Sequence, residues 1–383
     1  MNPFSPGAGT EPPAFTGRDA LISNYDVALR RTMDGRPGKS IMPIGLRGVG
    51  KTVLLNRFHQ MAQARGLAGA VIEAPETGAF GQLLAAHLRT VLFEFDRETV
   101  SAKVKRALGV LKAFTYTFPD GASISLNIDA VVGTADSGLL SEDVTALLVA
   151  VGEAAQDRGR GLLFAVDEVQ YLSSEELGAL ITAIHRTVQL KLPVILVGAG
   201  LPQIPGLAGN AKSYAERLFD FPEVASLGKA DAEEALQAPA HEQGVEFTER
   251  ALAAVLDYTK GYPYFLQEWA YHVWNAATGS PIDVDDVMSA APTVRDQLDK
   301  NFFRVRMDRL TPTERLYLVA MADLGPGPHR SGDIAAQLGV KIQSVAPRRS
   351  GLIKKGMLYS PAYGDTAFTV PMFDEFLRRT RAR

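Results

Sequence analysis

The stretch Gly45-Leu46-Arg47-Gly48-Val49-Gly50-Lys51-Thr52 constrains this chain more than any other. It fits G-x-x-x-x-G-K-[ST], follows the apolar run 40–44 and opens an amphipathic segment from 51 to about 65. A strand, a tight turn and a helix are therefore expected, with an anion at the turn. Glycines let the backbone close around phosphate with successive N–H groups pointing inward. The helix N-terminus adds partial positive charge. Gly45, Arg47, Gly48, Val49, Gly50 and Val53 are the expected backbone cradle. Lys51 is placed to reach the β- and γ-phosphates, and Thr52 to ligand Mg2+ through its hydroxyl. A chance match is the alternative in a chain with 35 glycines, and the strand-turn-helix context argues against it.

A second motif answers the first. Leu162-Leu163-Phe164-Ala165-Val166 reads as a buried strand, and Asp167-Glu168 stands at its carboxyl end, where α/β sheets bind ligands. Asp167 is expected to hold Mg2+ through water, and Glu168 to polarise an attacking water. The guanine-reading pattern N-K-x-D is absent from the sequence, so ATP is the expected nucleotide.

Around these motifs the chain alternates. Helices are expected over 19–31, 51–65, 80–97, 141–157 and 174–189, and strands over 40–44, 70–73, 161–166 and 193–197. That order predicts a parallel sheet covered on both faces. One segment departs from it: 114–118, Pro119-Asp120-Gly121 and 123–128 read as a β-hairpin insertion at about 113–130. It would form a projecting arm or an edge addition to the sheet. Residues 230–300 read as an all-α unit with breaks at Pro239, Gly261-Tyr262-Pro263 and Gly279-Ser280-Pro281. The expected division is a mobile leader 1–14, an α/β base 15–228, a helical unit 229–301 and a terminal unit 302–383.

Composition excludes several chemistries. With no Cys among 383 residues there is no disulfide, thiol nucleophile, Cys-ligated zinc or iron–sulfur cluster. The six His residues have no metal-ligand spacing. No apolar run reaches the roughly 18 residues of a membrane span, and no signal peptide is visible, so a cytoplasmic protein without a membrane partner is expected.

The motifs, their order and the units that follow resemble the AAA+ ATPases, in the group linking archaeal-type predicted ATPases, the origin-recognition initiators and the STAND switch ATPases. Phe15-Thr16-Gly17-Arg18-Asp19 looks like the box that opens these modules, and the resemblance implies that Arg18 lies at the nucleotide. Asp167-Glu168-Val169-Gln170 resembles their Walker B ending. Gly261-Tyr262-Pro263 resembles the lid motif in which Pro263 packs on adenine; the plainer reading is a helix N1 proline. Arg217, in Tyr214-Ala215-Glu216-Arg217-Leu218-Phe219, resembles an arginine finger; the plainer reading is a surface Arg paired with Glu216 or Asp220. Two departures stand out. The strand at 193–197 runs into Gly198-Ala199-Gly200 without a polar sensor residue, and the helix at 264–269 carries no sensor Arg. Both suit a slow, switch-like ATPase that assembles with further copies on binding ATP.

The terminal unit reads as a winged helix-turn-helix. Thr311-Pro312-Thr313-Glu314 carries an N-cap, an N1 proline and a capping box. A helix at 331–338 ends at Gly339, and a third helix follows at about 342–354, with Pro347 marking a possible later start after Ser344. Strands are expected at 356–359 and 367–370. Residues 302–383 hold 14 Lys and Arg against 7 Asp and Glu, net +7, which leaves −10 of the overall −3 on residues 1–301. Lys341, Arg348, Arg349, Lys354 and Lys355 are expected at phosphates of duplex DNA, and Gln343 and Ser344 at base edges. The Arg378–Arg381 stretch and Arg383 would add contacts. A winged helix that binds a protein partner, or docks on the acidic base, is the alternative.

Overall fold

In the computed structural model, residues 1–7, 9–76, 78–95, 101–117 and 128–381 are described. Six strands form one parallel sheet: β1 (Ser40–Ile41), β2 (Leu67–Ala68), β3 (Val71–Glu73), β4 (Gly161–Asp167), β5 (Val194–Gly198) and β6 (Phe219–Asp220). Their order is β2-β4-β5-β1-β6, with β3 paired to β4 beyond β2. β2 and β3 follow one another along the same edge of β4, interrupted at Gly69, where a Cβ would lie 2.1 Å from the Leu163 carbonyl oxygen. β4 and β5 are buried along their whole length. One core cluster joins β4 to the helices Phe80–Phe95, Leu140–Asp157 and Ser174–Gln189 on one face. A second covers the other face with Asp19–Met33 and Lys51–Ala64. This is the covered α/β sheet that the alternation predicts.

Several local expectations fail for identifiable reasons. The strand at 40–44 shortens to two residues because Pro43 has no N–H to give the ladder. Met42 and Ile44 on either side of it still donate to Asp220 and Pro222, and Ile44 bridges to both Gly200 and Glu223. The hairpin's first strand is not there: Phe114 and Thr115 end the helix Ala102–Thr115, with Phe114 fully buried in the core. Residues 118–127 of that expected hairpin lie outside the described residues. Pro239 does not break a helix but sits inside Lys229–Glu242, and Pro347 sits inside Ile342–Lys354, which starts before it at Ile342. A proline costs the one amide bond it cannot make, and packing carries both helices through.

The expected leader is seated, not loose. Phe4 is 2% exposed, edge-on to Phe247 and Trp274, while Asn2 donates to the Tyr271 carbonyl and to Asn275. An aromatic ring this far from the sheet finds an apolar pocket in the helical unit, and its burial holds the segment there.

A third core cluster runs without a break from Phe4 and Ala232 to Leu377. The helical and terminal units thus share one apolar core, joined at Phe302 and Phe303 in a π-helical stretch, Asp299–Arg304. In the terminal unit the capping box at Thr311 and Glu314 forms as expected. Helix Ser331–Leu338 ends at Gly339, left-handed at φ 65°, before Ile342–Lys354. Strands β7 (His329–Arg330), β8 (Leu358–Tyr359) and β9 (Asp365–Phe368) pair antiparallel in the order β7-β9-β8. A last helix, Phe373–Arg381, packs on Pro312–Asp323. No described helix is long and apolar enough to cross a membrane.

Candidate nucleotide site

The turn after β1 closes because its glycines leave no side chain in the way. A Cβ on Gly45 would lie 2.1 Å from the Val224 carbonyl oxygen, and Gly48 and Gly50 adopt φ of 82° and 90°. Gly50 is the N-cap of Lys51–Ala64 and supplies no capping side chain, so the first-turn N–H groups stay open to an anion. Lys51 is 8% exposed, and its Nζ donates to the Gly45 and Leu46 carbonyls at 3.0 and 2.8 Å. Burial pulls its pKa down to about 8, against the opposing fields of Glu168 and Asp167. An ammonium desolvated with only carbonyl partners is electrostatically under-compensated, which suits an incoming polyanion.

The end of β4 supplies the carboxylates. Thr52 Oγ1 donates to Asp167 Oδ2 at 2.6 Å, and Asp167 Oδ1 accepts from the Glu168 N–H at 2.8 Å. Burial raises the Asp167 pKa, while those two bonds hold it down. Glu168 has left-handed backbone at φ 52°, a strained placement for a residue with a Cβ. Its carboxylate accepts from Arg47 at 3.2 Å and from Gln170. Arg47 also donates to the Tyr171 hydroxyl at 3.0 Å, and its backbone N–H to the Thr369 carbonyl at 2.9 Å. The phosphate turn therefore touches the terminal unit directly. Gly356, from the same unit, lies so close that a Cβ there would stand 2.7 Å from Arg47 Nη2.

These groups line a cleft of about 450 Å3 between base and helical unit. Arg18, Val49, Val53, Pro263 and Leu227 line it together with Lys51, Thr52, Asp167 and Glu168. Arg18 donates to the Ala225 carbonyl at 2.7 Å and to Val49 at 3.4 Å, and burial lowers its pKa against the nearby Asp231. Pro263 stands at N1 of Pro263–Ala276. Gly261 before it has φ 73°, and a Cβ there would meet the Leu227 carbonyl at 2.5 Å. Ser5, Pro6, Gly7 and Gly9 of the seated N-terminus line the cleft too.

Other expected residues stay apart from it. Arg217 is exposed on the short helix Ala215–Leu218, outside the cleft of its own chain. Asp220, its suggested partner, pairs with Lys39 at 3.1 Å instead. In the terminal unit Lys341, Gln343, Ser344 and Lys354 are exposed and Arg348 is half-buried. Arg349 instead donates to Thr366, Ser360 and the Asp365 carbonyl, and Lys355 pairs with Glu314 at 2.7 Å. Arg378, Arg379 and Arg381 pair with Asp374, Asp299 and Asp323. The expectation of free cations fails at these five, because Asp, Glu, hydroxyl and carbonyl groups of the terminal unit, and Asp299 of the helical unit, lie within reach.

Sequence reasoning missed Tyr171, Tyr264 and Arg306, and it gave Gln170 no role. Gln170 Oε1 accepts the Leu201 N–H at 3.0 Å and lies 2.2 Å from where a Cβ on Gly200 would stand. Its amide thus occupies the end of β5 that lacks a polar side chain, and it holds Glu168. The glycine at 200 was the legible sign that something approaches there.

The strand–turn–helix cradle with a hydroxyl and paired carboxylates at its mouth has clear relatives. Residues 14–197 match the family described as AAA ATPase domain. Residues 14–197 are thus an AAA-type ATPase domain with a P-loop fold. Residues 300–377 match a domain of unknown function, DUF8462. A Walker-type ATPase of Pyrococcus abyssi is 17% identical with a TM-score of 0.59, over 95% of this chain and 96% of that one. That likeness is one of fold. The Thermotoga maritima RuvB Holliday junction branch migration motor, at 17% identity over 92% of each chain, has a TM-score of 0.47. The Aeropyrum pernix ORC1 protein in complex with DNA, at 16% identity over 96% of this chain and 94% of that one, has 0.46. The last two overlaps are too loose to carry an argument. No curated protein is significantly similar in sequence.

Proposed function

We propose that this AAA+-type chain binds and slowly hydrolyses ATP, and that nucleotide state controls how its terminal winged helix-turn-helix engages duplex DNA. Lys51 and the open amides take the phosphates; Thr52 and, through water, Asp167 hold Mg2+; Glu168 polarises the attacking water. The donor set fits the metal: a hydroxyl beside a carboxylate suits an octahedral Mg2+ that keeps several waters and takes phosphate oxygens. Slow turnover follows from Glu168 being held by Arg47 and Gln170, bonds that compete with water for the carboxylate. Arg217 is the surface cation a neighbouring copy would receive on assembly.

The observation that carries this reading is the bond from the Arg47 N–H to the Thr369 carbonyl. It ties the phosphate turn to the unit bearing Lys341, Arg348 and Lys354, so a nucleotide that reshapes the turn also moves the basic helix. Duplex DNA binding by fluorescence anisotropy tests it, with no nucleotide, with ADP and with a non-hydrolysable ATP analogue, each at several salt concentrations. The expected outcome is a salt-steep affinity that differs between nucleotides. Equal affinities in every state overturn the coupling.

A second reading keeps the switch and gives the winged helix a protein partner. The exposure of Val340 and Ile342, 37% and 50%, at the start of the third helix favours it. Nucleotide-dependent association without DNA binding at low salt would select it.

A further inference from the structure

The turn between β8 and β9, the wing of the terminal unit, carries that unit's most exposed large apolar side chain. Tyr363 stands at its tip, 105% exposed, with no hydrogen bond or ring contact among the described residues. Pro361, Ala362 and Gly364 beside it are exposed too. The turn is nevertheless held firmly. The Ser360 hydroxyl shares its proton between the Ala362 and Asp365 carbonyls, at 2.8 and 2.9 Å, and the Asp365 N–H closes on the Ala362 carbonyl at 3.1 Å. Arg349, from the helix Ile342–Lys354, grips the base of the turn through Ser360, the Asp365 carbonyl and Thr366. Gly364, left-handed at φ 83°, accepts from the Ser331 N–H at 3.3 Å.

A braced turn presents its ring already ordered, so covering that ring costs little further entropy. The chemistry beside it selects what covers it. Arg330 faces Asp365 across the β7–β9 ladder, and its side chain is 83% exposed, held only by a 3.9 Å contact with the Asp365 carboxylate. No second large apolar side chain stands on the tip to enter a hydrophobic pocket with Tyr363. A ring beside a loosely held cation fits a nucleobase and its flanking phosphate. Magnitudes then decide which nucleobase. Inside a continuous duplex both faces of every base pair are taken by its neighbours. Parting one such step costs about as much as one aromatic stack returns. A single ring therefore gains only where a base face is already open, at a duplex end or at a fork into single strands.

We propose that Tyr363 and Arg330 form a site for an unstacked base and its phosphate, so that the wing selects DNA with open base faces, at ends and forks, over continuous duplex. The inference rests on the DNA reading above and narrows its substrate. Lys341, Arg348 and Lys354 meet phosphates of either form, and the wing tip adds the discrimination. Arg349 is then a positioning residue: it holds the wing to the basic helix without itself touching DNA.

Anisotropy of the full chain on a labelled forked duplex tests the site, with unlabelled fork or relaxed, covalently closed plasmid, which has no ends, as competitor. In Tyr363→Ala, affinity for the fork should fall roughly tenfold, as for the loss of one base–aromatic stack, while affinity for the closed plasmid changes less than about twofold. Tyr363→Phe and Tyr363→Trp should keep the preference, because the ring stacks and the hydroxyl does not. Tyr363 touches nothing in the described chain, so its variants should melt with wild type. A fluorescent base analogue at the fork should change its emission on binding wild type and not on binding Tyr363→Ala. Arg330→Ala should lower the salt slope on the fork by about one, and an unchanged slope overturns its phosphate role. Equal losses on fork and plasmid in Tyr363→Ala, or none on either, overturn the open-base site and leave duplex binding standing. A wild-type chain that binds neither DNA at low salt overturns the DNA reading itself and turns Tyr363 toward a protein partner.

Discussion

In the nucleotide cleft Lys51 has only carbonyl partners and Arg306 has no charged partner, whereas in the terminal unit Arg349, Lys355, Arg378, Arg379 and Arg381 are each tied to the protein. Two cationic regions thus use charge differently. In the cleft, burial leaves cations with carbonyl and ring partners only, under-compensated in the lining of a cavity that could take a polyanion. In the terminal unit, about half the positive charge stitches helices and strands together. The lesson is that net charge counts cations and not their availability. The +7 of residues 302–383 overstates what a phosphate backbone would meet. Lys341, Arg348 and Lys354 have no ion pair among the described residues, and they cluster on one helix and its N-cap.

The cleft is where this contrast breaks hardest. Lys51→Ala should abolish measurable nucleotide binding and turnover, because the turn's other cation, Arg47, is held by Glu168 and Tyr171. Glu168→Gln should keep the nucleotide and lower phosphate release by roughly 100-fold or more, the usual range for losing a general base. Steady-state phosphate release together with nucleotide titration separates the two. Unchanged turnover in Glu168→Gln would move the water-activating role elsewhere.

On the terminal unit the contrast predicts unequal effects from equal charges. Replacing Lys341, Arg348 and Lys354 together by Ala should lower the slope of log affinity against log salt for duplex DNA by roughly 2 to 3. Arg349→Ala should leave that slope unchanged and instead lower stability by about 1–3 kcal/mol, since it strips bonds from Ser360, Thr366 and the Asp365 carbonyl. Anisotropy across a salt series and chemical denaturation read the two effects separately. A slope change in Arg349→Ala equal to that of an exposed Lys would mean that the internal bonds open on DNA.

How much of this was legible in the sequence divides along the same line. The phosphate turn, Thr52, Asp167 and Glu168 were legible because backbone geometry and short-range chemistry fix them within one strand-turn-helix. The capping box at Thr311 and the turn at Gly339 were legible for the same reason. What was not legible depends on chain neighbours far apart in sequence. Phe114 looked like a strand residue by local pattern, and a helix–helix core decided otherwise. Arg349 and Arg348 are adjacent and chemically identical, and only the fold sets one against Thr366 and leaves the other free. Gln170 and Arg306 reach the site from 31 residues before Leu201 and from the far side of the helical unit, where no spacing rule points.

The smallest expected effect sharpens the contrast through pH. Glu314 is buried, which by itself raises its pKa, but the bonds from Lys355 and from Thr311 outweigh that and hold the carboxyl below its ordinary value of 4.5. A carboxyl whose pKa is depressed on folding binds fewer protons folded than unfolded, so its contribution is complete above that value and fades as pH falls through the folded one. Lys355→Met removes one of the opposing bonds. Lys355 is 38% exposed on its side chain, so solvent screens the pair, and the variant should lose no more than about 1 kcal/mol at pH 7. The difference from wild type should shrink toward zero in acid, once Glu314 is protonated in both proteins. Denaturation midpoints at pH 7 and at pH 3 measure it. A difference that persists undiminished in acid would show that Lys355 acts through the packing of its stem rather than through charge, and would move it out of the set of structural cations that separates the terminal unit from the cleft.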